Sequence, residues 1–167
     1  MTMYSVGILT LSDKGSRGER EDTSGPMLVG LFDGQDTFQV LHTLILPDRQ
    51  DLIEKTLIKW ADEERVDLIV TTGGTGVAPT DRTPEATRAV IDFEVPGLAE
   101  AMRAASLAKT IQAVWSRAIA GVRAKSLIIN LPGSEKAARE NIEAILPALE
   151  HGLYKLKGGR KDCGILV

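Results

Sequence analysis

The chain is poor in the residues on which many chemistries depend. One cysteine, Cys163, among 167 residues excludes an intramolecular disulfide, and no second thiol stands at metal-ligand spacing. The two histidines, His42 and His151, are remote from each other, and the first sits inside a strand-like pattern, so neither suggests a metal site or a triad. Aromatics are only 4% of the chain, which leaves the core to Ala, Val, Ile and Leu, with 16 glycines permitting close approach. No apolar run approaches the roughly 18 residues that a membrane helix needs. The start, Met1-Thr2-Met3-Tyr4-Ser5, has no basic stretch leading into an apolar one, so no signal peptide is expected and the compartment expected is the cytoplasm. There is no excess of positive charge either. Twenty Lys+Arg against twenty-three Asp+Glu give −3, so no general basic field would attract nucleic acid.

What remains is an ordinary globular composition, 43% hydrophobic and 26% charged, long enough for about one domain. No repeat or linker divides it, so residues 1–167 are expected to form a single domain, with 158–167 as a flexible glycine-containing tail. Ser5 to Leu11 is a nearly continuous apolar run, as in a strand buried on both faces. The stretch from Ser12 to Gly25 is too polar for a core element. Met27, Leu28, Leu31 and Phe32 then give a helix starting near Pro26. Phe38 to Leu46 reads as a second strand, 49–65 as a helix, and Asp67 to Thr72 as a third strand. Thr83-Pro84-Glu85 opens a short helix, Pro96-Gly97 breaks it, and Leu98 to Leu107 resumes. Extended segments are expected near Arg117 to Gly121 and Lys125 to Leu131, followed by a final helix capped by Ser134 and kinked or broken at Pro147. Strands alternating with helices predict a three-layer α/β/α domain around a mostly parallel sheet.

In such sheets ligands bind beyond the carboxyl ends of the strands. Thr71-Thr72-Gly73-Gly74-Thr75-Gly76 follows the third strand directly. Its three glycines in four residues bare the backbone, so several N–H groups can turn toward one anion. It is neither a Walker A loop nor Gly-x-Gly-x-x-Gly, and a plain glycine turn is the alternative. Asp13, Asp48 and Asp81 follow strands one, two and three. Gathered at one edge they would need a cation, for which Mg2+ bridging phosphates is the usual oxygen-rich solution; singly, each would cap a helix or pair with Arg17, Arg49 or Arg82. Asn130-Leu131-Pro132-Gly133-Ser134 opens the last helix, and is either an anion site or a well-made turn. There is no Gly-x-Ser-x-Gly nucleophile elbow, Cys163 reads as an unremarkable thiol, and Trp60 and Trp115 read as core or interface residues.

The ordered set of motifs resembles the molybdopterin adenylyltransferase family of the MogA/MoaB type, to which the gephyrin G domain is related. The match lies in Thr71-Thr-Gly-Gly-Thr-Gly76, Asp81 and Thr83-Pro-Glu-Ala-Thr87. It extends through Leu11-Ser-Asp13, Asp22-x-Ser24-Gly25, Pro47-Asp48, Val95-Pro-Gly-Leu98, Ser116-Arg-Ala118 and Asn130-Leu-Pro-Gly-Ser134. The resemblance implies a molybdopterin-binding fold that is usually trimeric, and transfer of AMP from Mg2+-ATP to molybdopterin. It puts the functional aspartates, which would hold Mg2+, at Asp48 and Asp81. Substrate and nucleotide would meet Ser12, Asp13, Ser24, Gly25, Thr72, Gly73, Gly74, Thr75, Gly76 and Thr83. The same role is implied for Ser116, Arg117, Asn130, Pro132, Gly133 and Ser134. The chain departs from the family by carrying Thr80 before Asp81, with arginine following as Arg82.

A phosphate monoester is already anionic near neutrality, so this chemistry needs charge neutralisation and positioning rather than a strong base. Arg82 or Arg117 would add to the neutralisation. The alternatives are a carrier or scaffold that binds molybdopterin without adenylating it, and a small nucleotide-binding protein of unrelated role. Ala-rich faces on the helix from Leu98 to Leu107 predict a homo-oligomer, and the resemblance implies that it is a trimer; other molybdenum-cofactor biosynthesis proteins are further expected partners.

Overall fold

A computed structural model describes residues 3–160. Cys163 and most of the expected tail lie outside them. Six strands form one sheet in the order β2-β1-β3-β6-β5-β4. The strands are β1 (Tyr4–Leu11), β2 (Phe38–Leu46), β3 (Leu68–Thr72), β4 (Phe93–Glu94), β5 (Ala120–Arg123) and β6 (Ser126–Leu131). Strands β2, β1, β3 and β6 are parallel, while β5 runs antiparallel to β6 and β4 antiparallel to β5. The helices are α1 (Asp13–Ser16), α2 (Ser24–Asp33), α3 (Gln50–Ile58), α4 (Thr83–Val90), α5 (Pro96–Leu107) and α6 (Glu135–Leu156). Among the described residues no helix is long and apolar enough to cross a membrane.

The strands read as double-sided because they are. On one face Val6, Ile8, Leu68, Val70, Leu127 and Ile129 pack with Leu28, Phe32, Met102, Ile142, Ile145 and Leu149 of α2, α5 and α6. On the other, Leu9, Leu11, Ile69 and Ile128 pack with Ile53, Leu57, Ala86 and Val90 of α3 and α4. Helices on both faces supply the long crossovers that parallel strands require. From β1 the chain moves outward to β2 and then returns to the other side of β1 as β3. The carboxyl ends of β1 and β3 therefore flank the point where winding reverses, and a crevice opens there.

Four expectations need correcting. Helix α2 begins at Ser24 rather than Pro26, because Asp22 Oδ1 accepts from the Gly25 amide and caps the earlier turn. A two-residue strand, β4, joins the short helix to α5, where only a break was expected; both of its residues are exposed and carry no pattern. The β5–β6 turn falls at Ala124-Lys125, so Val122 and Arg123 are strand residues. Helix α6 runs unbroken through Pro147 for 22 residues. Proline removes one hydrogen bond, and both Pro147 and Glu143, whose carbonyl loses its donor, face solvent.

Helix α3 continues into a π-helical turn, Lys59–Glu63, that delivers Trp60 to the sheet. Its ring lies over Gly7 of β1 and stacks on His42 of β2 at 5.5 Å between centroids. The β1–β2 register shifts between Val6 and Gly7 at the same point. A Cβ at Gly7 would come within 2.7 Å of the ring, so the glycine is required by close approach. Gly7→Ala should destabilise the fold by about 1–3 kcal/mol, the usual penalty of overpacking. Gly30, exposed inside α2 with open space around it, should behave oppositely: Gly30→Ala should stabilise by about 0.5–1 kcal/mol. Urea midpoints of both variants test the contrast.

Candidate active site

Four loops meet above the sheet: β1–α2, β2–α3, β3–α4 and β6–α6. They enclose a cavity of about 560 Å³ that includes Ser12, Ser24, Asp48, Thr72, Gly73, Gly74, Asp81, Gly133 and Ser134 in its wall. The loops approach so closely that side chains are excluded. Gly73 and Gly74 have φ of +104° and +64°, in the left-handed region that favours glycine. A Cβ on Gly73 would collide with the Leu11 carbonyl oxygen, and one on Gly133 would sit 3.2 Å from Gly73 Cα.

The glycine loop has its carbonyls tied back. Thr83 Oγ1 donates to Gly73 O at 2.8 Å and the Thr83 amide to Gly74 O at 3.2 Å. The Arg117 amide donates to Thr75 O at 2.8 Å, and its Nε to Gly76 O at 2.6 Å. Arg117 Nη2 also reaches Asp81 O at 3.0 Å, and Nη1 forms an ion pair with Glu85. That hydrogen bond from Arg117 holds the Glu85 carboxyl below its ordinary range. Four consecutive carbonyls are thus occupied, while the amides of Gly74, Thr75 and Gly76 donate to no described residue. Bare consecutive amides of this kind form a concavity for anions. The N-termini of α2 and α6 open on the same cavity through Ser24 and Ser134, and Ser24 Oγ donates to Gly133 O at 3.0 Å.

Asp48 faces this loop. It and Asp13 cap each other reciprocally: the Asp13 amide donates to Asp48 Oδ2 at 3.1 Å and the Asp48 amide to Asp13 Oδ1 at 3.0 Å. Asp48 Oδ1 is buried with no hydrogen-bond partner, and a Cβ on Gly74 would stand 3.1 Å from it. Burial pushes the Asp48 carboxyl up; Asp13 and Asp81 add to the rise, and the Asp13 amide opposes it. Asp81, across the loop, accepts from the Ala78 amide at 2.9 Å. None of the three aspartates pairs with an arginine, since Arg49 is bound to Asp51 and Arg17 to Glu19. Among the described residues no three potential ligands cluster to hold a metal by themselves. Asp48 and Asp81 fit an ion that takes one or two carboxylates and completes its shell with phosphates, as Mg2+ does.

A second depression of about 260 Å³ adjoins the first beyond the glycine loop. Thr75, Gly76, Ser116 and Pro132 line it, with Thr110, Gln112, Trp115 and Asn141. Five expected site residues, Asp13, Gly25, Thr83, Arg117 and Asn130, line neither cavity. Asn130 is fully buried, donating to Thr71 Oγ1 at 3.0 Å and Thr87 Oγ1 at 2.9 Å, and so stitches β6 to β3 and α4. Thr83 and Arg117 hold the loop from behind. Gly25 is buried against Asp22, whose other oxygen accepts from Thr10 Oγ1 at 2.7 Å. Arg20, Glu21, Asp22 and Glu135 line the first cavity without having been expected there, and only Asp22 belonged to a recognisable motif.

The raised carboxyl of Asp48 has a stability consequence. A carboxyl whose folded value lies above its unfolded one favours the fold below the unfolded value, and that contribution is lost as pH rises through the folded one. Asp48→Asn keeps the acceptor for the Asp13 amide and removes the buried charge. The ligand-free variant should therefore melt higher than the parent at pH 7, with the gap closing as pH falls toward about 4, the unfolded carboxylate range. Thermal melts at the two pH values test it.

Comparison with known proteins agrees with this geometry. Residues 7–151 match the family described as "Probable molybdopterin binding domain". A molybdopterin adenylyltransferase from Helicobacter pylori (strain J99) is 46% identical over 152 residues, covering 90% of this chain and 86% of that one. The molybdopterin adenylyltransferase of Escherichia coli (strain K12) is 39% identical over 159 residues, covering 92% and 82%. The crystal structure of the molybdopterin biosynthesis enzyme MoaB from Thermus thermophilus superposes with a TM-score of 0.88 at 54% identity, covering 93% of this chain and 98% of that one. With residues 7–151 matched by the family and the whole fold superposing on a solved relative, the chain belongs to the molybdopterin-binding domain family.

Proposed function

We propose that this chain is a molybdopterin adenylyltransferase of molybdenum cofactor biosynthesis, transferring AMP from ATP to molybdopterin and releasing pyrophosphate. The observation that carries the reading is the glycine loop, its carbonyls held back and its amides bare, facing the unpartnered oxygen of Asp48. The names of the H. pylori and E. coli relatives support it.

In the proposed reaction an oxygen of the molybdopterin phosphate bonds to the α-phosphorus of ATP while the bond from that phosphorus to the bridging oxygen breaks. No proton has to be removed from the attacking oxygen, which suits a site where neither histidine lines either cavity. The triphosphate would lie in the larger, polar cavity. The flat pterin suits the smaller one, where Trp115 supplies an apolar wall and Gln112, Thr110 and Ser116 supply polar atoms. Amides of Gly74, Thr75 and Gly76 on the partition between them would bind the phosphate oxygens near the reacting centre. Asp48 and Asp81 would hold Mg2+, which when bound neutralises phosphate charge and orients the leaving group. Arg117 acts at one remove, keeping the loop carbonyls turned away. ATP as donor makes the cytoplasm the proposed compartment.

A homotrimer is proposed as well. Leu107, at the end of α5, and Ile111 and Val114, in the turn that follows, form an apolar stretch, 42–71% exposed, which another subunit would cover. Light scattering at micromolar concentration should give three times the chain mass; a monomer would overturn the assembly.

Asp81→Asn tests the reaction. The amide retains an oxygen for the Ala78 amide, so the turn should persist, while turnover should fall by about a hundredfold, near 2.7 kcal/mol of transition-state stabilisation. Molybdopterin binding should survive, because backbone amides make that grip. Turnover and melting temperature measured on one sample decide it. Normal turnover with a lowered melting point would reduce Asp81 to a turn residue, and pterin binding by the parent chain without pyrophosphate release would indicate a carrier.

A further inference from the structure

The first cavity carries a charge imbalance that the proposed reaction must overcome. Five carboxylates line it, from Glu21, Asp22, Asp48, Asp81 and Glu135, and among the described residues Arg20 is the one cation in its wall. Both proposed substrates are themselves polyanions. The cations that the sequence offers nearby are already employed or stand elsewhere. Arg117 is spent on two loop carbonyls and Glu85. Arg49 is held by Asp51, and Arg17 binds Glu19 through both Nε and Nη2 at 2.8 and 2.9 Å. Arg82 is exposed at the start of α4 and lines neither cavity.

Arg20 differs from all of these. Its guanidinium makes no hydrogen bond or ion pair with any described residue. Its backbone, in contrast, is anchored on both sides. The Glu19 amide donates to Lys14 O at 2.9 Å, and Asp22 is fastened to Thr10 Oγ1 and the Gly25 amide. The loop thus presents an uncommitted planar cation from a fixed stem at the edge of an acidic cavity. A guanidinium binds two phosphate oxygens at once through its rigid fork of donors.

We infer that Arg20 supplies the phosphate-binding guanidinium of this site, adding to the loop amides by clasping phosphate oxygens of a substrate bound in the first cavity. The assignment rests on the proposed transfer reaction and supplies the guanidinium that neither Arg82 nor Arg117 is placed to give. The phosphate belongs either to the nucleotide or to the pterin, and each can be titrated separately.

The experiment uses the full chain with Arg20→Gln, Arg20→Lys and, as a control outside the cavity wall, Arg17→Gln. Binding of ATP with Mg2+, and of molybdopterin, is measured by calorimetry, alongside KM for each substrate and the melting temperature. Arg20→Gln should leave the melting temperature unchanged and weaken one substrate by roughly ten- to a hundredfold, the worth of a charge-assisted pair of hydrogen bonds. Arg20→Lys should recover part of that loss, and Arg17→Gln should match the parent. A loss confined to ATP puts the guanidinium on the triphosphate; a loss confined to molybdopterin puts it on the pterin phosphate. Parental affinities for both substrates in Arg20→Gln would overturn the assignment. A parent chain that binds neither ATP nor molybdopterin would instead overturn the transfer reaction, and the assignment with it.

Discussion

The structure depends on how closely three strand ends can approach. The Leu11 carbonyl, the Gly73 backbone and Gly133 occupy space that side chains would otherwise fill, so the crevice at the winding reversal is walled by main chain. From that contact follow the left-handed glycines, the exposure of loop amides and the meeting of α2 and α6 over one cavity. A wider spacing would still give an α/β sheet. It would not bring the Asp48 carboxylate to the edge of Gly74.

Charge at the site is organised locally rather than by the whole molecule. A chain with a net charge of −3 has no long-range attraction for phosphates. Directed backbone dipoles and carboxylates paired with each other's amides replace it. The reciprocal Asp13–Asp48 arrangement satisfies one oxygen of each side chain and strands the other oxygen of Asp48 in a buried position. Unsatisfied buried oxygens are rare in folded proteins because they are destabilising, and those that persist invite a functional account.

Much of this was legible in the sequence. Strand β2 lies where its apolar pattern put it, from Phe38 to Leu46, and the double-sided runs of β1 and β3 signalled helices on both faces. The glycine loop and the aspartates stood out because glycine and carboxylates after strands have few other uses. Residues that act through others were less legible. Asn130 looked like part of a loop motif, but a side chain inside β6 can turn inward, and this one is consumed by two threonines. Arg117 looked like a ligand-binding cation, and only its distances to Gly76 and Asp81 carbonyls reveal a brace. Arg20 sat in a polar stretch where sequence cannot tell a solvated charge from one at a cavity wall. Strand β4 was invisible because two exposed residues carry no period.

The stranded oxygen of Asp48 also bears on how long the protein lasts. A buried carboxylate that lacks a partner makes the unliganded chain the less stable form, and any cation-carrying ligand that satisfies it binds the native state alone. Occupancy and survival are thereby linked. Chains engaged with substrate spend less time open to proteases than idle ones, so the pool of this protein in a cell would track the supply of what it binds.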